Sequence, residues 1–142
     1  MNINKLAMTP IYENKSVKFF FDPETGIFRA NFYGLVEMKS IIEAFNFVIS
    51  NPKPMHAIAV LTDLSNLKGT FTMLMDYFED KLYPFLNSRG ILCDAIILNS
   101  DVFTKFSVKK LETSIDAIKI KSFENEESAI QWINFIIKKQ DK

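Results

Sequence analysis

Two hydrophobic rhythms alternate along the chain. The stretch SVKFFFD, Ser16 to Asp22, is short and rich in β-forming residues. In IFRANFYG, Phe28, Ala30 and Phe32 alternate with Ile27, Arg29, Asn31 and Tyr33. A period of two belongs to a strand with one buried face. Between the two runs, Asp22-Pro23-Glu24-Thr25-Gly26 supplies a proline that pre-sets φ and a glycine that admits positive φ, so the pair is expected as a β-hairpin. The rhythm then changes. Met38, Ile41, Ile42, Phe45, Val48 and Ile49 recur at steps of three and four, which predicts an amphipathic helix ended by Asn51-Pro52-Lys53-Pro54.

The rest of the chain repeats strand and helix. HAIAVLTDL (56–64) and CDAIILNSD (93–101) are apolar runs too short for typical helices, and their Val and Ile content favours buried strands. Phe71, Leu74, Met75, Phe78, Leu82, Phe85 and Leu86 mark a helix that Pro84 is expected to end or kink. Residues 101–116 are expected as a helix with Phe103, Phe106, Leu111 and Ile115 on its dry face. AIKIKSF is the last strand. Asn125-Glu126-Glu127 opens a final helix, its acids suited to the positive end of the helix dipole, with Ile130, Ile133, Ile136 and Ile137 as core stripe. The order ββαβαβαβα predicts an α/β fold: a mixed, mainly parallel sheet with an N-terminal antiparallel hairpin and packed helices. Residues 1–15 show no period and are expected as a mobile N-terminal arm; 16–142 form a single domain.

With 142 residues, 48% of them hydrophobic, the chain can bury a core without staples. One cysteine, Cys93, excludes an intramolecular disulfide. Lys plus Arg and Asp plus Glu both number 17, and a net charge of zero argues against nucleic acid as a partner. No apolar run is long enough to span a bilayer, and the first residues lack the apolar stretch of a secretion signal, so a soluble cytoplasmic protein is expected. Richness in Lys, Asn, Ile and Phe points to an AT-rich, bacterial genome.

Candidate chemistry centres on VLTDLSNLKGTFT, Val60 to Thr72. Asp63 and Ser65 follow the carboxyl end of a parallel strand, where open α/β sheets place ligands. Lys68 adjoins Gly69, which lets the backbone approach closely, and Thr70 could cap a helix whose amides welcome an anion. The simpler reading is an Asx-turn at Asp63 and an ordinary cap at Thr70. The glycine and lysine spacing of a P-loop is absent. His56 has no second ligand at zinc spacing and no Gly-x-Ser-x-Gly elbow to serve; Cys93 has no CxxC partner. No catalytic residue, metal or cofactor is therefore expected. Asp76, Glu79 and Asp80 read as a solvated face. Lys105, Lys109 and Lys110, interleaved with Phe103 and Phe106, could meet an anionic lipid or an acidic partner. Phe47, Met73, Tyr77 and Tyr83 lie off the core stripes and are candidates for an apolar interface, first of all a homodimer, or for the lining of a pocket that takes a lipid-like ligand.

The element order, VLTDLSNL after the first buried strand, and FENEESAIQWI with Phe123, Glu126, Glu127, Ala129, Trp132 and Ile133 resemble the STAS superfamily, the anti-sigma-factor antagonist-like or SpoIIAA-like domains. The resemblance spans roughly 16–137 and implies a non-catalytic regulatory or protein-interaction module. In that family a serine at the start of the helix after this loop is phosphorylated within an Asp-Ser-Ser-Gly pattern. Here the place reads Lys68-Gly69-Thr70-Phe71, so the expectation is a module without the usual phosphoswitch. The alternative is binding or sensing of a lipid or other apolar small molecule.

Overall fold

Among the described residues, six strands lie side by side in the order in which the chain makes them. The structure, a computed structural model, describes residues 9–51 and 56–140. Strand β1 (Tyr12–Glu13) pairs antiparallel with β2 (Val17–Asp22), and β2 with β3 (Ile27–Leu35). The turn joining β2 to β3 is closed by the Gly26 amide donating to the Asp22 carbonyl at 2.8 Å, with Gly26 at φ 75°. From β3 on, the sheet is parallel: β4 (Ala59–Lys68), β5 (Cys93–Ile97) and β6 (Lys119–Phe123) follow in turn. Helices α1 (Met38–Ser50), α2 (72–88) and α3 (Val102–Ser114) make the crossovers, and α4 (Glu126–Gln140) follows the last strand.

This order decides where the helices go. Parallel crossovers are right-handed almost without exception, and each new strand is added on the same side of the last. Successive crossovers must then return over one face. The main core accordingly joins Phe19, Phe28 and Phe32 of the hairpin to Ile41 and Val48 of α1, Leu74 and Leu82 of α2, and Val108 and Leu111 of α3. The opposite face gains no crossover helix. Over β4 and β5 it is covered by α4, whose Ala129, Ile133 and Ile136 meet Ala59, Leu61, Cys93, Ala95 and Ile97 in a second core.

Several sequence expectations change. Tyr12–Glu13 is a strand, so the sheet begins inside the stretch expected as an arm; the Asn14 side chain accepts from the amides of Ser16 and Val17 at 2.8 and 3.2 Å. Residues 1–8 lie outside the described residues, as do Pro52 and Pro54, the expected stop for α1, which ends at Ser50. Helix α2 runs on through Pro84 to Ser88. The disturbance takes the form of a π turn over Phe78–Leu82, ending two residues before Pro84, which lacks an N–H and whose ring would clash with a regular α-helical turn. The largest departure is α3. Its buried face is Thr104, Ser107, Val108 and Leu111, while Phe103 and Phe106 point to solvent. Thr104 and Ser107 face inward, where they bond the turn that follows β4.

Because α4 is the helix that covers the second core among the described residues, deleting bulk from it should be costly. Ile133→Ala is expected to lower unfolding free energy by about 2–5 kcal/mol, and Phe135→Ala, on its exposed side, by less than about 0.5 kcal/mol, in urea titrations followed by circular dichroism.

Candidate functional site

Strand β4 is longer than its sequence suggests. Asp63, Ser65 and Lys68, expected in a turn, belong to the strand, and the true turn is only Gly69 to Phe71. Up to Asp63 the strand is paired on both sides; beyond it only β3 remains, because β5 ends at Ile97 opposite Asp63. The pairing also slips there, Asn31 and Tyr33 facing Asp63 and Asn66, so β4 carries one extra residue. On the open side the Asn99 amide donates to the carbonyls of Leu64 and Leu67 at 2.7 and 2.6 Å, replacing the missing strand. Its carbonyl oxygen accepts from the Asp101 amide at 2.8 Å, which places the start of α3.

Helix α3 then clamps the turn. The Gly69 amide donates to Asp101 Oδ2 at 2.7 Å, and the Thr104 hydroxyl lies 2.8 Å from the same oxygen and 3.0 Å from the Gly69 carbonyl. The Gly69 amide and the Thr104 hydroxyl hold the Asp101 carboxyl below its ordinary range. Gly69 sits at φ 103°, a conformation that side-chain-bearing residues rarely adopt. The Phe71 amide donates to Ser107 Oγ at 2.9 Å. Thr70 Oγ1 lies 2.9 Å from Ser107 Oγ and accepts a long bond from the Thr72 amide at 3.3 Å. The Gly69 and Phe71 amides are thus engaged by a carboxylate and a hydroxyl of the same chain.

On the α4 side, Asp63 is part of a charge cluster. Arg29 Nη2 reaches Asp63 Oδ2 at 3.2 Å and Glu126 Oε1 at 2.7 Å, and its Nε donates to Asn31 at 2.9 Å. The Arg29 side chain is only 12% exposed, so these partners are what allow a charge to sit there. The other Asp63 oxygen accepts from the Ser65 amide at 2.9 Å and from the Ser65 hydroxyl, an Asx-type arrangement. Lys68 is exposed.

The third feature lies under α1 and α2. A cavity of about 90 Å³ opens between these helices and the sheet, lined largely by apolar side chains. Its polar wall is Asp94, 3% exposed, whose two carboxylate oxygens accept from Thr62 Oγ1 and the Tyr83 hydroxyl, both at 2.7 Å. Burial pushes the Asp94 carboxyl up to about 6, against the pull of those two bonds, and raises the Tyr83 hydroxyl well above its ordinary value. Burial, then the neighbouring Asp94, pushes the Cys93 thiol up to about 12, which leaves it unreactive.

The candidate residues are therefore dispersed. Asp63 and Ser65 join the Arg29 cluster, Gly69 and Thr70 the α3 clamp, and Tyr83 the cavity wall. Tyr77 is half-buried, with its hydroxyl donating to Asn46 at 2.7 Å; Phe47 stacks on Tyr12 with ring centres 4.9 Å apart; Met73 is exposed. These four do not make one patch. His56 is exposed ahead of β4, as are Asp76, Glu79 and Asp80 on α2. Sequence reading missed Arg29, Asp94, Asn99, Asp101, Thr104 and Ser107. Asp94 had a visible signal, a lone carboxylate inside an otherwise apolar strand.

The chain superposes on the crystal structure of an anti-sigma factor antagonist from Mycobacterium paratuberculosis with a TM-score of 0.57, over 87% of this chain and 99% of that one. The fold is STAS-like. At 12% identity the likeness is one of architecture. No protein-family model matches the sequence, and no curated protein is significantly similar to it. Among the described residues of this STAS-like domain, no helix is long and apolar enough to cross a membrane.

Asp94 makes stability pH-dependent in a defined direction. Its folded carboxyl binds a proton more readily than an unfolded one, so stability is expected to fall as pH rises from about 4 to about 6 and to level off above. Relative to Asp94→Asn, the wild type should lose roughly 3 kcal/mol at most across that window, measured by urea titration at each pH. A difference between the two proteins that stays constant across the window would contradict the assignment.

Proposed function

We propose that this STAS-like domain is a non-catalytic regulatory module that docks an acidic protein partner through α3 and the adjoining Gly69–Phe71 turn. The observation that carries this reading is the inverted polarity of α3. Val102, Phe103 and Phe106 are 68, 61 and 59% exposed, while Thr104 and Ser107 are turned inward. Scattered apolar side chains on a surface mean little, but three within five residues, flanked by exposed Lys105, Lys109 and Lys110, form a contiguous apolar and basic surface. Lys110 Nζ stands 5.8 Å from the Phe106 ring centre. The clamp fixes this helix against the turn, so its outer face is held rigidly.

The same clamp supports a module that works without a phosphoswitch. A phosphate on Thr70 would enter beside the Asp101 carboxylate, which already takes the Gly69 amide, and would lose attraction to that end of the turn through like-charge repulsion. Binding of an apolar small molecule is the second reading, and the cavity beneath α1 and α2 is what favours it.

The double variant Phe103→Ser/Phe106→Ser should leave thermal stability within about 0.5 kcal/mol of wild type, since both side chains are exposed. In cross-linking mass spectrometry from source cells, a partner joined to Lys105, Lys109 or Lys110 should be seen with the wild type and lost with the variant. Phosphopeptide mapping of the same material should find Ser65 and Thr70 unmodified. No cross-linked protein, or one unaffected by the double variant, would overturn the docking surface; stoichiometric phosphate on Thr70 would overturn the switch-free reading.

A further inference from the structure

The cavity and the carboxylate in its wall together specify a ligand chemistry, an inference that rests on the small-molecule reading above. Protein interiors leave few voids larger than a water molecule, and an unfilled one lowers stability. This one persists at about 90 Å³ in the main core, where α2 widens into its π turn and contributes Phe78 and Leu82 to the wall. Phe28, Phe32, Phe45 and Phe71 line it as well. Apolar cavities of this order take up single-ring molecules, and aromatic walls offer such a ring edge and face contacts. At one end the lining includes half-buried Ala57 and Phe85 and exposed Arg89, so the cavity reaches the surface between the ends of α1 and α2.

Asp94 is the polar handle. A carboxylate has about four acceptor positions. Thr62 and Tyr83 use one on each oxygen, and no cation among the described residues pairs with it. A carboxylate in these surroundings welcomes a further donor and repels an anion. That repulsion keeps a carboxylate or phosphate head, a fatty acid's included, away from this wall.

We propose that the cavity binds a small aromatic molecule bearing a hydrogen-bond donor, its ring among the phenylalanines and its hydroxyl or amine on the Asp94 carboxylate. Four single-ring probes separate the components: phenol and benzylamine carry a donor, toluene has none, and benzoate is an anion. Titrated into the full-length protein at pH 7.5, phenol or benzylamine should bind roughly tenfold more tightly than toluene, and benzoate should not bind. In two-dimensional amide NMR of the wild type, the donor probes should shift Asp94, Tyr83 and Phe78, a readout that needs no variant. Asp94→Asn and Tyr83→Phe, each checked for native melting, should narrow the preference for the donor probes over toluene. Toluene binding as tightly as both donor probes, or benzoate binding as well as they do, would overturn the donor assignment while leaving a ligand cavity. No cavity amide shifted by any probe at millimolar concentration would overturn both the assignment and the small-molecule reading.

Discussion

Beyond Asp63 strand β4 has a neighbour on one side only, and its carbonyls on the other side need donors that the sheet does not provide. Buried main-chain groups left without partners are costly, so something must stand in for a strand. The Asn99 side chain does so. Much of this end of the molecule follows from that substitution. Asn99 also receives the Asp101 amide, Asp101 receives the Gly69 amide, and Thr104 and Ser107 complete the ring around the turn. A helix that supplies these groups must point its small polar residues inward. The outward Phe103 and Phe106 are the other side of the same requirement.

That requirement also marks where the sequence is legible and where it is not. The alternation in β3 and the three-and-four spacing of α1 and α4 are visible because each element has one buried face and one wet one. The two apolar runs announce β4 and β5 because both faces are covered. Helix α3 defeats the same logic: its hydrophobic periodicity points to Phe103 and Phe106, whereas hydrogen-bond demand from a turn about 35 residues earlier decides which face turns inward. The extension of β4 past Asp63 was equally hidden, since Ser65, Asn66 and Lys68 carry turn-like composition and it takes β3 on one side and the distant Asn99 on the other to make a strand there tenable. Among the site residues, Asp63, Ser65, Gly69 and Thr70 were recognisable as a location. Their partners Arg29, Asp101 and Ser107 were not, because each contact joins elements far apart in the chain.

Two distinct surfaces result, on one face of the sheet. At its upper end the clamp rigidifies a turn beside an apolar and basic helix. Deeper in the same core, the cavity lies against the π turn of α2, with a carboxylate in its wall. Both arise where the regular pattern is broken and a side chain takes over work that backbone or hydrophobic packing does elsewhere.

Strand order follows chain order, and that has a consequence for how the molecule is made. Each strand leaving a ribosome finds its neighbour already in place, so the sheet can grow in the direction of synthesis with short loops to close. The Arg29 guanidinium is different: it waits 97 residues for Glu126, which arrives only with the last helix. Until then the face carrying Ala59, Leu61, Cys93, Ala95 and Ile97 is uncovered. A synthesis arrested before α4 would release a nearly complete sheet with a greasy, adhesive side, the kind of surface that chaperones and proteases recognise. Helix α4 thus closes the second core late in synthesis, and the contact of Glu126 with Arg29 ties it down.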